Sequence, residues 1–153
     1  MNMIRRITRY LLTAALALGF GACSSEDDIE EIFTSHPWYV TNIYYTASKT
    51  SALQDQTILF RANSYYIEFA ANGTLKGKTA QNEDFSGKWK ANGSNHTLSI
   101  SVTGNTSSSD KGTGSLMLQV LNNAASYQGD SNVLTIHTKN SGQYYMTLGS
   151  KEK

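Results

Sequence analysis

Cysteine, proline and histidine are all scarce in this chain, and each scarcity removes a class of chemistry. A single cysteine, Cys23, among 153 residues leaves no disulfide within the chain and no thiolate cluster. His36, His96 and His137 lie far apart, with no second histidine or cysteine at ligand spacing, so neither a metal nor a cofactor is expected. Charged residues make up 16% of the chain and the net charge is +1, too weak a field to draw nucleic acid. No apolar stretch reaches the roughly 20 residues of a membrane-spanning helix. Catalytic motifs are missing as well: the glycines of DKGTGS lack a preceding strand and a following Lys-Ser/Thr pair, and no catalytic residue is assigned.

What is present begins with Arg5, Arg6 and Arg9, followed by an apolar stretch over residues 11–22 interrupted only by Thr13. Charge followed by an apolar run is the layout of a secretory signal. LGFGAC, ending at Cys23, resembles the lipobox of bacterial lipoproteins, with Phe20 where an aliphatic residue is usual. The resemblance implies that residues 1–22 are a signal peptide and that Cys23 becomes a lipidated N-terminus. Its partner would be the membrane, and two or more acyl chains such as palmitate hold stably where one does not. Glu26, Asp27, Asp28, Glu30 and Glu31 follow, and residues 23–35 read as a solvated, extended acidic tether. That run resembles the acidic signal of surface-exposed lipoproteins of the Bacteroidetes type, which implies the outer membrane and the cell surface, with the periplasmic face as the alternative.

Residues 36–153 suffice for one domain. Without Arg5, Arg6 and Arg9, 10 of the 13 basic residues remain against 12 acidic ones, a net charge of −2. Tyrosine, threonine, serine, asparagine and glycine dominate, which is strand-and-turn composition. Strands are expected over residues 37–46, in QTILF and SYYIEFA, on both sides of Asn72-Gly73 and Asn92-Gly93, and in NVLTIH and QYYMTL. The Asn-Gly pairs mark antiparallel hairpins. Alternation sets Tyr65, Ile67 and Phe69 on one face, and Leu98, Ile100 and Val102 on one face of a later strand. Residues 104–114 read as a flexible polar loop. One helix is expected over SLMLQVLNNAASYQ, capped by Ser115 and ended by Gly129, with Leu116, Met117, Val120, Leu121, Ala124 and Tyr127 as its apolar stripe. The fold class is therefore α+β and mainly β: an antiparallel curved sheet or small open barrel of about six to eight strands, with one helix packed on it.

From Phe69 onward, the order of strands, Ser-rich loop, single helix and final hairpin resembles the META domain of bacterial heat-shock-related and secreted lipoproteins. Gly77 and Asn82 fall at that family's glycine and asparagine, Gly87 and Trp89 at its aromatic strand, and Leu121 and Tyr127 within its helix. A lipocalin-like barrel is the alternative, because Trp38 stands near the start of the first strand. Adjacent tyrosine pairs send one ring to each face of a strand, so Tyr45, Tyr66 and Tyr145 are candidate ligand-binding rings on the outer face. Glu83-Asp84 is an acidic loop better explained by turn chemistry than by a bound cation. The expected role is a non-catalytic binding or structural module for a glycan or an envelope protein. An envelope hydrolase would need Glu68, Glu83 or Asp84 to share a pocket with a histidine, and an inhibitor or chaperone-like module would need an exposed strand edge or apolar patch.

Overall fold

The computed structural model describes residues 25–139 and 142–151. Eight antiparallel strands follow one another around a closed barrel: β1 (Trp38–Tyr45), β2 (Tyr66–Phe69), β3 (Thr74–Ala80), β4 (Glu83–Asn92), β5 (Thr97–Gly104), β6 (Ala124–Gly129), β7 (Val133–Thr138) and β8 (Tyr144–Gly149). β1 pairs with β8 to close the ring. Closure removes the exposed edges that an open sheet would have to protect. Two helices complete the fold, α1 (Ser25–Thr34) and α2 (Thr113–Asn122).

Alternation fills the interior. Ile67 and Phe69 of β2, Leu98, Ile100 and Val102 of β5, Leu134 and Ile136 of β7, and Met146 and Leu148 of β8 are all buried, as expected from their parity. Trp38 is fully buried at the start of β1 and donates its indole N–H to the Ile32 carbonyl at 3.2 Å. Side chains of this kind pack the interior of a small barrel.

Phe85 accounts for two of the glycines. It pairs with Gly77 on β3 and Gly104 on β5, and a Cβ at Gly77 would lie 2.6 Å from the Phe85 ring and 2.0 Å from the Tyr66 carbonyl oxygen. The ring covers backbone that no side chain could share, which lets the strands coil tightly at this corner.

The first hairpin turns at residues 70–73, with Gly73 at φ 82°. The second uses four residues, 93–96, and His96 takes the left-handed position at φ 54°. Asn72 and Asn95 each accept from the backbone N–H and hydroxyl of the threonine two residues on, so these Asn-x-Thr triplets are turn-forming units.

Three expectations are corrected. QTILF is a 3₁₀ turn (Gln56–Phe60) rather than a strand, because the Asp55 carboxylate accepts from the Thr57 N–H and starts a helical turn. The acidic run is α1 rather than an extended tether, since Phe33 is fully buried and docks the helix across one end of the barrel. Lastly, the single long helix is divided: α2 stops at Asn122, and AASYQG is strand β6. Ala124 and Tyr127 are buried as expected, but from a strand with a bulge between Ala124 and Ser126, which imitates helical spacing. Gly112 rather than Ser115 occupies the N-cap of α2, and Gly129 ends β6.

α2 also closes a seam. β5 and β6 share only the Thr97–Ser126 pair, so the far half of β5, paired with β4 on one side, lacks a strand partner on the other. Asn122, at the end of α2, accepts from the Val102 N–H at 2.8 Å and donates to the Val102 carbonyl at 3.1 Å. One side-chain amide thus does what a paired residue would do.

Candidate functional site

On the outer wall of β7, β8 and β1, three rings stand in a row. His137 and Tyr145 are cross-strand partners with ring centroids 5.7 Å apart and planes 28° apart. Tyr145 and Tyr44 are likewise paired, at 5.0 Å and 18°. Near-parallel stacking of this kind is a stabilising cross-strand contact. The turn after β1 is closed by the Lys49 N–H donating to the Tyr45 carbonyl, with Lys49 at φ 59°, and it brings the Lys49 ammonium to 5.1 Å from the Tyr145 ring centroid. Partial burial, and then the Lys49 charge, hold His137 below its ordinary value.

A bulge decides which tyrosines face outward. Between Val40 and Asn42 the β1–β8 register shifts by one, and the buried Asn42 side chain accepts from the Ile43 N–H and the Ser51 hydroxyl. Parity inverts after it, so Ile43 points in, Tyr44 points out and Tyr45 stands at the inner rim beside Tyr144, at 5.3 Å. The outer ring of that pair is therefore Tyr44 and not Tyr45. Tyr145 is on the outer wall as expected. Tyr66 is on the outer wall too, but in a separate place, 6.0 Å from Tyr39. Tyr45, Tyr66 and Tyr145 are thus not brought together, and Cys23 lies outside the described residues.

The acids expected at a hydrolase site are dispersed. Asp84 is ion-paired with Lys78 at 2.6 Å and Glu68 with Lys76 at 2.9 Å, and the cavities that Glu68 and Asp84 line contain no histidine. A cavity of about 350 Å³ beside α1 does bring His96 near Glu31 and Asp130. The Asp130 carboxylate, however, accepts the Asn132 and Val133 N–H groups, which lower its pKa and commit it to the turn. Among the described residues no three His, Cys, Asp or Glu side chains gather as a metal site, and no helix is long and apolar enough to cross a membrane.

Asp110 is the residue that sequence reasoning missed. It lies in the loop read as flexible, yet it is fully buried. Its carboxylate accepts from the Gly112 N–H at 3.0 Å, the Gly114 N–H at 2.7 Å and the Tyr65 hydroxyl at 3.3 Å. Burial, and then the adjacent Asp110 charge, raise the Tyr65 phenol well above its ordinary value. The signal was an aspartate just ahead of a helical stripe, where backbone N–H groups lack partners.

Among curated proteins none matches the chain. The crystal structure of a DUF4847 family protein from Bacteroides vulgatus ATCC 8482 is similar at 28% identity, with a TM-score of 0.64, covering 82% of this chain and 99% of that one. The NMR structure of a protein from Burkholderia xenovorans shares the fold alone, at 11% identity and a TM-score of 0.56, over 82% of this chain and 89% of that one. The family model described as a domain of unknown function, DUF4847, matches residues 24–149, and with that span the chain belongs to the DUF4847 family.

Proposed function

We propose that this DUF4847 domain is a lipid-anchored, non-catalytic binding module, held through Cys23 at the outer membrane and facing the cell surface. The observation that carries the binding role is the row His137–Tyr145–Tyr44, with Lys49 above it. Buried side chains line the interior, so the reading turns to the outer wall, where this row sets three rings side by side. The rings use their faces on one another, so they offer edges, hydroxyls and the Lys49 ammonium. Those groups suit a polar ligand with hydrogen-bonding groups, a glycan or the polar surface of an envelope protein, better than flat stacking on a sugar ring. The lipobox resemblance at Cys23 supports the anchor.

Two measurements test the two parts separately. Metabolic labelling with a clickable fatty acid should mark the parent and not Cys23→Ala; equal labelling of both ends the anchor. Titration of the soluble barrel with envelope glycans, followed by NMR, should shift the ring signals of Tyr44, Tyr145 and His137, with Tyr145→Ala weakening binding by about tenfold. Ring signals that stay still at saturating glycan would remove the row from the proposal.

A further inference from the structure

Charge is segregated on this molecule. Five of its 12 acids lie in α1, while Lys76, Lys78, Lys88 and Lys90 stand together on the outward parity of β3 and β4. Lys76 and Lys78 are neutralised by Glu68 and Asp84. Lys88 and Lys90 are exposed, and among the described residues neither joins an ion pair. They stand two residues apart on β4, a spacing of roughly 7 Å. Their cross-strand partners on β5 are Ser101 and Ser99, both exposed hydroxyls. Beside Lys88 runs a groove of about 500 Å³, floored by Leu75 and Gly87 and flanked by Ser86 and the Lys76–Glu68 ion pair.

We infer that the β3–β4–β5 face is a binding site for an acidic polysaccharide of the uronate class. Two unpaired ammonium groups beside a row of hydroxyls match a chain that carries one carboxylate and free hydroxyl groups on each sugar. A nucleic-acid backbone fits less well, because it carries few or no free hydroxyl groups to meet Ser99 and Ser101. Lys76 and Lys88 line the groove, and their apolar stems offer a surface against which sugar C–H groups pack. This deepens the outer-wall reading, but it rests on the side of the barrel opposite the aromatic row.

The test uses the soluble barrel with alginate oligosaccharides and neutral dextran oligosaccharides as probes, followed by calorimetry at low and at physiological salt. Binding to alginate and not to dextran is expected. It should weaken with salt, fall about tenfold or more in Lys88→Glu/Lys90→Glu, and fall less in Lys88→Gln/Lys90→Gln. The lysines are exposed, so unchanged thermal melts should accompany the loss. In NMR titrations alginate should shift the signals of residues 74–80, 83–92 and 97–104 and leave the Tyr44, Tyr145 and His137 ring signals still, which separates failure of this site from failure of the aromatic row. Equal affinity for the two probes, or alginate affinity unchanged in the charge-reversed variant, overturns the assignment. So would salt-sensitive self-association that the charge reversal abolishes without any alginate binding, since the lysines would then be serving the acidic α1 of a second copy.

Discussion

The two ends of the barrel are closed by helices of opposite character. At the end reached first by the chain, α1 inserts Phe33 among Phe69, Trp89 and Tyr127, with ring centroids 4.9–5.1 Å apart, two of them edge-on. At the other end, α2 is held by a buried carboxylate. Asp110 receives two backbone N–H groups at the start of the helix and the Tyr65 hydroxyl, and Thr79 packs against Gly114 while donating to the Asn105 carbonyl at 2.6 Å. The aromatic closure is non-directional and depends on area and packing. The polar closure depends on geometry, because each buried group must keep its partner. One end therefore sets how strongly the barrel is sealed, while the other sets the exact seating of the helix that completes the β5 seam.

Phe33→Ala should break the contrast most severely, with a loss of about 3–5 kcal/mol in chemical denaturation, since it empties the centre of the aromatic cluster. A loss below about 1 kcal/mol would mean that α1 merely rests on the barrel. Asp110→Ala should cost about 2–3 kcal/mol by leaving buried N–H groups unpaired. Hydrogen exchange should localise that effect, with faster exchange at Gly112, Gly114 and Val102, whose partner Asn122 sits at the far end of the same helix. Uniform acceleration across the barrel would contradict a seating role.

Tyr65→Phe, the mildest change, removes one hydrogen bond and should cost about 1 kcal/mol at neutral pH. Its pH dependence sharpens the comparison further. The phenol is raised in the folded state, so above the ordinary value of 10.0 the unfolded chain ionises while the folded one stays protonated. Stability is therefore full below pH 10 and declines as pH rises beyond it. The Phe variant should show a flatter decline, and an unchanged slope would locate the alkaline sensitivity elsewhere.

Most strands were legible because their signal is local. Ile67 and Phe69, or Leu98, Ile100 and Val102, announce a half-buried strand by parity alone, and Asn72-Gly73 announces its turn. Tyr145 could be assigned to the outer wall for the same reason. Tyr44 could not, because a one-residue bulge at Val40–Asn42 inverts everything after it and depends on Asn42 finding Ser51 across a loop. His137 and Lys49 carried no motif, and they join Tyr44 and Tyr145 only once β7, β8 and β1 are neighbours. The limits of α2 were blurred because a bulged strand places Ala124 and Tyr127 three residues apart, as a helix would.

Composition and alternation determined by themselves that this chain makes a mainly β domain with a mostly apolar core, since period-two patterning sends one face of each strand inward. Ring closure, the outward turn of Tyr44, the conversion of an acidic run into a capping helix and the burial of Asp110 were decided only by tertiary structure. Each of these depends on a partner distant in sequence: β8 for β1, Ser51 for Asn42, Tyr127 for Phe33 and Tyr65 for Asp110. Short-range preference is silent on such pairings, and packing and hydrogen-bond satisfaction choose among the arrangements it permits.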